Sequence, residues 1–259
     1  MNRILTPCRA VARSTLRRVP WLRRHLFASV DYAIVTPEQA RKRQAAGWER
    51  PLTAFRQDRA YSRLLQQMIE GAPRIDLQVA VDAVRATGID RPMILEVGCG
   101  GGYYRQVFGH LLGRPFEYVG VDNSQAMVAA AQRRCPQTRF EVANACKLPF
   151  ADGVFDIVFN GVCLMHILDF ERAIVEGRRV ARSHCIYHSV PTFTDRATTY
   201  LSKYAYGGPV VEIVFNRAEL LALFAKHGLE LVKSWPSIDY NVPVTSEPSS
   251  CETFLLCVR

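Results

Sequence analysis

The chain alternates short apolar runs with segments whose apolar residues recur every three or four positions. Apolar runs bounded by polar or small residues predict strands, and the wider spacing predicts amphipathic helices. Strands are predicted at residues 93–97, 117–121, 138–142, 155–160, 184–190, 229–235 and 252–258, and helices at 103–112, 124–134 and 169–182. Strands that alternate with helices predict an α/β fold with a doubly wound, parallel sheet and right-handed crossovers.

Two regions interrupt this alternation. Ahead of the first strand, helical stripes over 52–69 and 76–86 predict a helical cap at residues 28–90, in front of a domain at 91–259. Within that domain, residues 191–215 are rich in Tyr and Gly and have no clear period, so we interpret them as an irregular insertion. Long insertions at strand ends are often functional.

The positive charge of the chain is concentrated at its start. Seven of the excess charges in the formal net charge of +9 are arginines within residues 1–27, where no acid occurs. Apolar and aromatic residues are interleaved with them, which suits an amphipathic segment on an anionic membrane surface. A targeting sequence and a disordered basic leader remain alternatives. The remaining chain carries about +2 (9 minus 7), so no nucleic-acid partner is expected.

Cysteine and histidine spacing predicts no metal site. The eight cysteines include no Cys-x-x-Cys pair, so buried free thiols are expected. His184 and His188 lie four apart on a predicted strand, where about 3.3 Å per residue would separate them by roughly 13 Å. That distance is too large for one ion.

A glycine-rich turn follows the first predicted strand. The segment 94–102 reads ILEVGCGGG, an apolar strand that passes through an acid into glycines at 98, 100 and 102. Glycine permits positive φ and close approach of the backbone to a ligand. The helix beginning near Tyr103 would point its free amides at the anionic end of that ligand. This turn predicts a ligand site but does not choose the ligand.

The segments after the turn narrow the choice. A second apolar strand at 118–121 ends on Asp122, 20 residues after Gly102, where a carboxylate can accept both hydroxyls of a ribose. Three further segments follow in order: 140–145, the Leu-Pro-Phe of 148–150, and the Phe-Asp strand of 155–160. This succession resembles the class I S-adenosylmethionine-dependent methyltransferases, in their small-molecule branch (methyltransferase domain 11/25-like), over residues 93–235.

The resemblance implies a fold, a cofactor and a set of site residues. The fold would be a seven-stranded Rossmann-like sheet, mostly parallel with an antiparallel last strand and with helices on both faces. Glu96 and the glycine turn would hold the methionine end of S-adenosylmethionine, Asp122 the ribose, and Met127 the adenine. The full implied set is Glu96, Gly98, Cys99, Gly100, Gly102, Asp122, Asn123, Met127, Asn144, Ala145 and Asn160.

Two positions bear on the chemistry beyond cofactor binding. Asn144 stands where the family usually has Asp, so an amide oxygen would replace a charged acceptor for the adenine amine. His166 lies where the family places its acceptor-facing loop, and a histidine can act as a general base near neutral pH. A structural role for His166 remains an alternative. Lid candidates are Trp48, Tyr61, Asp195, Tyr200, Tyr204 and Tyr206.

The predicted function is methyl transfer to a small-molecule, glycan or lipid-linked acceptor, at oxygen if His166 is the base. The loop at 160–166 lacks the motif of methyltransferases that act on nucleobase amines. An NAD-dependent oxidoreductase and a non-catalytic binding or scaffold protein are the alternatives. No run of 18 apolar residues occurs, so a cytoplasmic protein is expected, with candidate peripheral attachment at the inner face of the membrane.

Overall fold

The computed structural model describes residues 29–44, 51–205 and 208–259. The strands in these ranges are β1 (Ser29–Val35), β2 (Met93–Val97), β3 (Glu117–Asp122), β4 (Arg139–Val142), β5 (Phe155–Gly161), β6 (Ala181–Phe193), β7 (Thr199–Ala205), β8 (Gly208–Asn216), β9 (Leu229–Asp239) and β10 (Ser249–Val258). The helices are α1 (Pro37–Gln44), α2 (Pro51–Ile69), α3 (Ile75–Ala86), α4 (Tyr103–Leu111), α5 (Gln125–Arg134), α6 (Phe170–Val180) and α7 (Arg217–Lys226), with a 3₁₀ turn at Leu164–His166.

Seven strands form the core of the sheet in the order β4-β3-β2-β5-β6-β10-β9. Strands β2 to β6 pair in parallel, and β10 runs antiparallel to β6 and β9. The doubly wound α/β fold and the antiparallel last strand are therefore confirmed. The count of seven was too low for the whole sheet, because β8, β7 and β1 extend it beyond β6 to ten strands.

Successive residues of the central strands face opposite sides of the sheet, as the pleat requires. Ile94 and Ile157 enter one apolar core, together with buried residues of α3 and α4. Leu95 and Val158 enter the other, with buried residues of α6 and α7. Both faces of the sheet are thus covered by helices. Apolar runs without alternation are typical of strands buried in this way.

The described residues of the insertion after β6 are largely in strands, whereas an irregular segment was expected. Strand β6 continues to Phe193, and the following residues form an antiparallel hairpin of β7 and β8. Strand β1 pairs with β7, so the region predicted as a helical cap contributes one strand as well as α1, α2 and α3. Asp31 has φ 59°, and the register of β1 shifts at this point. That irregularity concealed β1 from the pattern.

The amphipathic leader predicted at 1–27 lies outside the described residues, and its role stays a prediction. Within the described ranges, no helix has the length and apolar character needed to cross a membrane.

Candidate active site

The predicted ligand-binding turn connects β2 to α4. Gly98, Gly100 and Gly102 have φ of 77°, 48° and 76°, a region that glycine adopts at little cost. The amides of Gly98 and Cys99 both donate to the carbonyl of Val121, at 2.8 and 2.9 Å. The turn is therefore fastened to the end of β3, which brings it next to the acid at 122.

The three glycines meet different surroundings. A Cβ on Gly98 would lie 2.1 Å from Cys163 Sγ, whereas one on Gly102 would lie 3.2 Å from Ala131 Cβ. The absent side chains at these two positions therefore allow close protein packing, and the role of their backbone in ligand approach stays a prediction. Gly100 has only Gln57 Oε1 nearby, at 3.4 Å, so it alone leaves space next to the turn.

Asp122 stands at the end of β3 and bonds to the turn through both carboxylate oxygens. Oδ2 accepts from the amide of Gly100 and Oδ1 from the amide of Ser124, each at 2.9 Å. Burial raises the pKa of the Asp122 carboxyl, and the two amides oppose that rise. Ser124, rather than Asp122, caps α5 by accepting from the amide of Met127. Each oxygen of the carboxylate predicted to bind ribose thus accepts one backbone hydrogen bond.

Glu96 is the most perturbed acid of the turn. It is 1% exposed and accepts a hydrogen bond from the hydroxyl of Tyr118. Burial raises the pKa of Glu96 to about 8, the Tyr118 hydroxyl lowers it, and the charge of Asp122 raises it further. Without a ligand, the Glu96 carboxyl is therefore mostly protonated at neutral pH.

A cavity of about 550 Å³ opens over the turn, at the carboxyl ends of β2, β3 and β5. This volume lies in the range of about 300 to 1,000 Å³ that small-molecule sites occupy. The predicted site residues that line it are Glu96, Gly98, Cys99, Gly100, Asp122, Asn123, Met127, Asn144, Ala145 and His166. The structure thus brings together ten residues that sequence reasoning placed at one site.

Two predicted residues, Gly102 and Asn160, do not line the cavity. Gly102 ends the turn and precedes α4 in a left-handed conformation. Asn160 is 4% exposed, and its Oδ1 accepts from the amide of Leu164 at 2.8 Å, which shapes the loop after β5. Asn144 lines the cavity, but its Oδ1 accepts from the amide of Cys146 at 2.8 Å. One lone pair of Asn144 Oδ1, the predicted acceptor for the adenine amine, is therefore already occupied by this hydrogen bond.

His166 ends the 3₁₀ turn after β5 and contacts the inserted hairpin. Its Nδ1 lies 2.9 Å from the carbonyl oxygen of Val211 on β8. Because a carbonyl can only accept, Nδ1 carries the proton and Nε2 is the basic nitrogen of the neutral ring. Burial lowers the pKa of His166, and the charge of Glu212 partly opposes that change. The ring is therefore neutral near pH 7.

The loop after β5 contains a residue with strained backbone. Val162 has φ 54°, which is unfavourable for a β-branched residue, and its amide donates to the carbonyl of His188 at 3.0 Å. Val162 also lines the cavity. Strain of this kind persists where surrounding contacts hold it, and it is enriched at functional sites.

Of the residues of the described cap region that line the cavity, sequence reasoning named Tyr61 and missed Arg41 and Gln57. Tyr61 of α2 lies against Tyr103, with ring centroids 4.5 Å apart, and both line the cavity with Gln57. Arg41 of α1 pairs with Asp169 at 2.8 Å across the same cavity. The aromatic residues directly after Gly102 offered a signal for Tyr103, whereas nothing in the spacing indicated Arg41.

The lid candidates have different outcomes. Trp48 and Tyr206 lie outside the described residues, and of the four described candidates Tyr61 alone lines the cavity. Among the described residues, no group of three His, Cys, Asp or Glu side chains could hold a metal ion. His188 is fully buried, and its Nδ1 lies 2.8 Å from Thr253 Oγ1.

Comparison with known proteins assigns the family. Residues 95–187 match the model of a methyltransferase domain. A probable S-adenosylmethionine-dependent methyltransferase of Mycolicibacterium smegmatis is 30% identical over 153 residues, which cover 58% of this chain and 55% of that protein. These matches support a class I S-adenosylmethionine-dependent methyltransferase domain, as the order of the motifs predicted. S-adenosylmethionine, the cofactor of this family, is thereby confirmed, and the NAD-dependent alternative loses its support.

Two further similarities extend beyond the matched domain. The 2-phytyl-1,4-naphtoquinone methyltransferase of Thermosynechococcus vestitus is 26% identical over 209 residues, covering 71% of this chain and 92% of that protein. The crystal structure of an S-adenosylmethionine-dependent methyltransferase of Methanosarcina mazei has a TM-score of 0.54 at 15% identity, covering 68% of this chain and 96% of that one. The chain spans 55%, 26% and 31% of the first three curated relatives that it matches.

Proposed function

We propose that this methyltransferase transfers a methyl group to a hydroxyl oxygen of a small-molecule, glycan or lipid-linked acceptor, with His166 as the general base. The observation that carries the proposal is the position of His166. It lines the same cavity as the glycine turn and Asp122, and the carbonyl of Val211 holds its Nδ1. A titratable ring of defined tautomer therefore stands at the cofactor cavity.

The residues present fit S-adenosylmethionine. Gly100 leaves room for a ligand beside the turn, and Glu96 and Asp122 offer buried carboxylates to an ammonium group and to ribose hydroxyls. Met127 is 3% exposed and lines the same cavity, as an apolar surface for adenine requires. The bound cofactor would supply an activated methyl group on a sulfonium.

The residues of the chain would supply orientation and a proton acceptor. Nε2 of His166 would take the proton of the acceptor hydroxyl as its oxygen accepts the methyl group that the bound cofactor would supply. Because burial keeps the His166 ring neutral near pH 7, no prior deprotonation is needed. The Val211 carbonyl keeps Nδ1 protonated, so Nε2 is the nitrogen that can accept the proton.

The proposed acceptor class draws on two observations. The Thermosynechococcus relative is named for a naphthoquinone that carries a phytyl chain, which is a lipid-type acceptor. Aromatic rings of Tyr61, Tyr103 and Tyr104 line the cavity and provide apolar surface for a ring or chain. The proposed attachment of residues 1–27 to an anionic membrane would bring the enzyme to such an acceptor.

The test compares His166→Ala and His166→Asn with the native protein. Transfer of labelled methyl is measured against phenols, quinols, sugars and carboxylic acids, and cofactor affinity is measured by calorimetry. Both variants should lose turnover by roughly 10² to 10⁴, with S-adenosylmethionine affinity unchanged. The asparagine amide can still donate to the Val211 carbonyl, so this variant should keep its melting temperature.

His110, an exposed histidine of α4, supplies the matched control, and His110→Ala should retain full turnover. Full turnover in both His166 variants would contradict the proposal. Cofactor binding without transfer to any acceptor of the four classes would instead favour the non-catalytic binding protein.

A further inference from the structure

The strand that holds His166 is only loosely joined to the core sheet. Strand β8 pairs with β6 at two positions, Phe215 and Asn216, and its earlier residues pair with β7. Val211 lies in that earlier part. The ladder of the core sheet therefore does not fix the distance between the Val211 carbonyl and His166, and other contacts must do so.

A buried polar network lies directly beside Val211. Glu212 forms an ion pair with Lys203 of β7 and accepts a hydrogen bond from the hydroxyl of Tyr240. The Lys203 ammonium also lies 5.4 Å from the ring centre of Tyr32 on β1. The side chains of Lys203 and Glu212 are 9% and 5% exposed. The network thus ties three added strands to the segment after β9.

Such a network is not explained by stability alone. Moving two charges out of water costs free energy that their attraction often fails to exceed. Buried ion pairs are better attested as devices that fix one arrangement among several. The arrangement fixed here includes the backbone of Glu212, whose neighbour Val211 accepts the bond from His166.

We infer that Lys203, Glu212 and Tyr240 are positioning residues for His166, because they hold the β8 carbonyl against Nδ1 and set the local charge at the ring. The inference rests on the proposed function, since it assigns a role to the base of that reaction. It also assigns a role to the added strands β1, β7 and β8, which lie outside the seven-stranded core.

The charges around His166 make the inference specific. Glu212 favours the protonated ring and Lys203 opposes it. Of the other titratable groups near the 3₁₀ turn, His188 of β6 is buried with its pKa lowered to about 4, so it is neutral. The Arg41–Asp169 pair lines the cavity with no net charge. Removing one charged member of the network should therefore shift the His166 pKa in the direction opposite to the effect of the charge that is lost.

The experiment measures the His166 pKa directly by ¹⁵N NMR titration of the full-length protein, without an acceptor. Lys203→Met removes the charge that opposes the protonated ring and should raise the His166 pKa, whereas Glu212→Gln removes the charge that favours it and should lower the pKa, each by roughly 0.5 or more on the pH scale. The double variant should return toward the native value. His110 in the same spectra serves as an internal control that should not move.

Tyr240→Phe keeps the inference testable if the single charge variants fail to fold. This change removes one donor to Glu212 without removing a charge, so the His166 pKa should rise and the fraction of ring protonated at Nδ1 should fall. Turnover should fall together with this fraction, whereas cofactor affinity should not change. An unchanged His166 pKa and tautomer in Tyr240→Phe would overturn the inference.

The two proposals fail in different experiments. If His166→Ala keeps full turnover, the proposed function fails whatever the NMR result. If His166→Ala is inactive while the charge variants leave the His166 pKa in place, the general base stands and the positioning network is wrong.

Discussion

Glu96 is a buried residue through which pH should affect cofactor binding. Its folded pKa of about 8 lies above the ordinary value of 4.5, so folding favours the protonated carboxyl. Without ligand, the stability contribution of this group is fully present below about pH 4.5 and is lost as pH rises toward about 8. A bound ammonium group would favour the ionised form instead. Cofactor binding should therefore release a proton.

We expect the affinity for S-adenosylhomocysteine to rise between about pH 6 and pH 8, by at most about tenfold per pH unit. Calorimetry in two buffers of different ionisation enthalpy would count the released proton, which should approach one at pH 6.5. Glu96→Gln keeps an acceptor for the Tyr118 hydroxyl and cannot ionise, so its affinity should be flat over this range. A native affinity that is equally flat would refute the assignment of Glu96 to the ammonium group.

Residue identity and residue role were predictable to different degrees. The order of motifs along the chain indicated ten residues that do line the cavity, because the carboxyl ends of parallel strands meet at one edge of a sheet. It did not reveal that Gly98 serves packing, because the sulfur of Cys163 comes from a loop 65 positions later in the sequence. Contacts of that kind have no local signature.

At the scale of elements, the β2–α4 turn and the loop after β5 interlock at Gly98 and Cys163. A Cβ at position 98 would meet both Sγ and Cβ of Cys163, at 2.1 and 2.6 Å, at a φ of 77°. Gly98→Ala should therefore lose about 2 to 5 kcal/mol of stability, from overpacking and from backbone strain together. Urea unfolding would measure the loss, and cofactor affinity should fall with it.

Gly153 offers a matched control for the strain alone. It has φ 61°, and a Cβ added there would have no atom within 4 Å, so Gly153→Ala should cost only about 1 to 2 kcal/mol. In a protein that already carries Cys163→Gly, Gly98→Ala should cost less stability than in the native protein, because the clash with the Cys163 side chain is gone. Equal losses in Gly98→Ala and Gly153→Ala would show that Cys163 does not contribute.

The elements of the core were predictable, whereas the added strands were not. Fully buried strands such as β2 and β5 appear as continuous apolar runs, and their bounds were predicted to within a residue or two. Strand β7 instead contains Lys203, a charge that is buried only because Glu212 on the next strand pairs with it. A lysine in the middle of a strand conceals the apolar pattern, so the hairpin was interpreted as irregular.

At the scale of the whole molecule, the cavity has two sources. The core sheet supplies the predicted cofactor side, through the turn after β2 and Asp122 after β3. Segments distant in sequence supply the rest, with Arg41 and Gln57 from the cap region and His166 held by the hairpin. The cofactor side follows from family motifs, whereas Arg41, Gln57 and the hairpin lie outside those motifs. That division explains why the cofactor was predictable and the acceptor was not.

The charge distribution of the whole chain leads to the last prediction. Residues 1–27 hold seven arginines and no acid, while the remaining chain carries about +2 (9 minus 7). At about 1 kcal/mol per basic residue near an anionic surface, the leader should dominate binding to phosphatidylserine vesicles. Deleting it, or replacing its seven arginines by glutamine, should reduce partitioning at least about 100-fold, and native binding should weaken with added salt.

Replacement by lysine keeps the charge and should retain most of the binding, whereas cofactor affinity should be unchanged in all three variants. Vesicle binding that survives the glutamine replacement would show that the arginines do not provide the attachment.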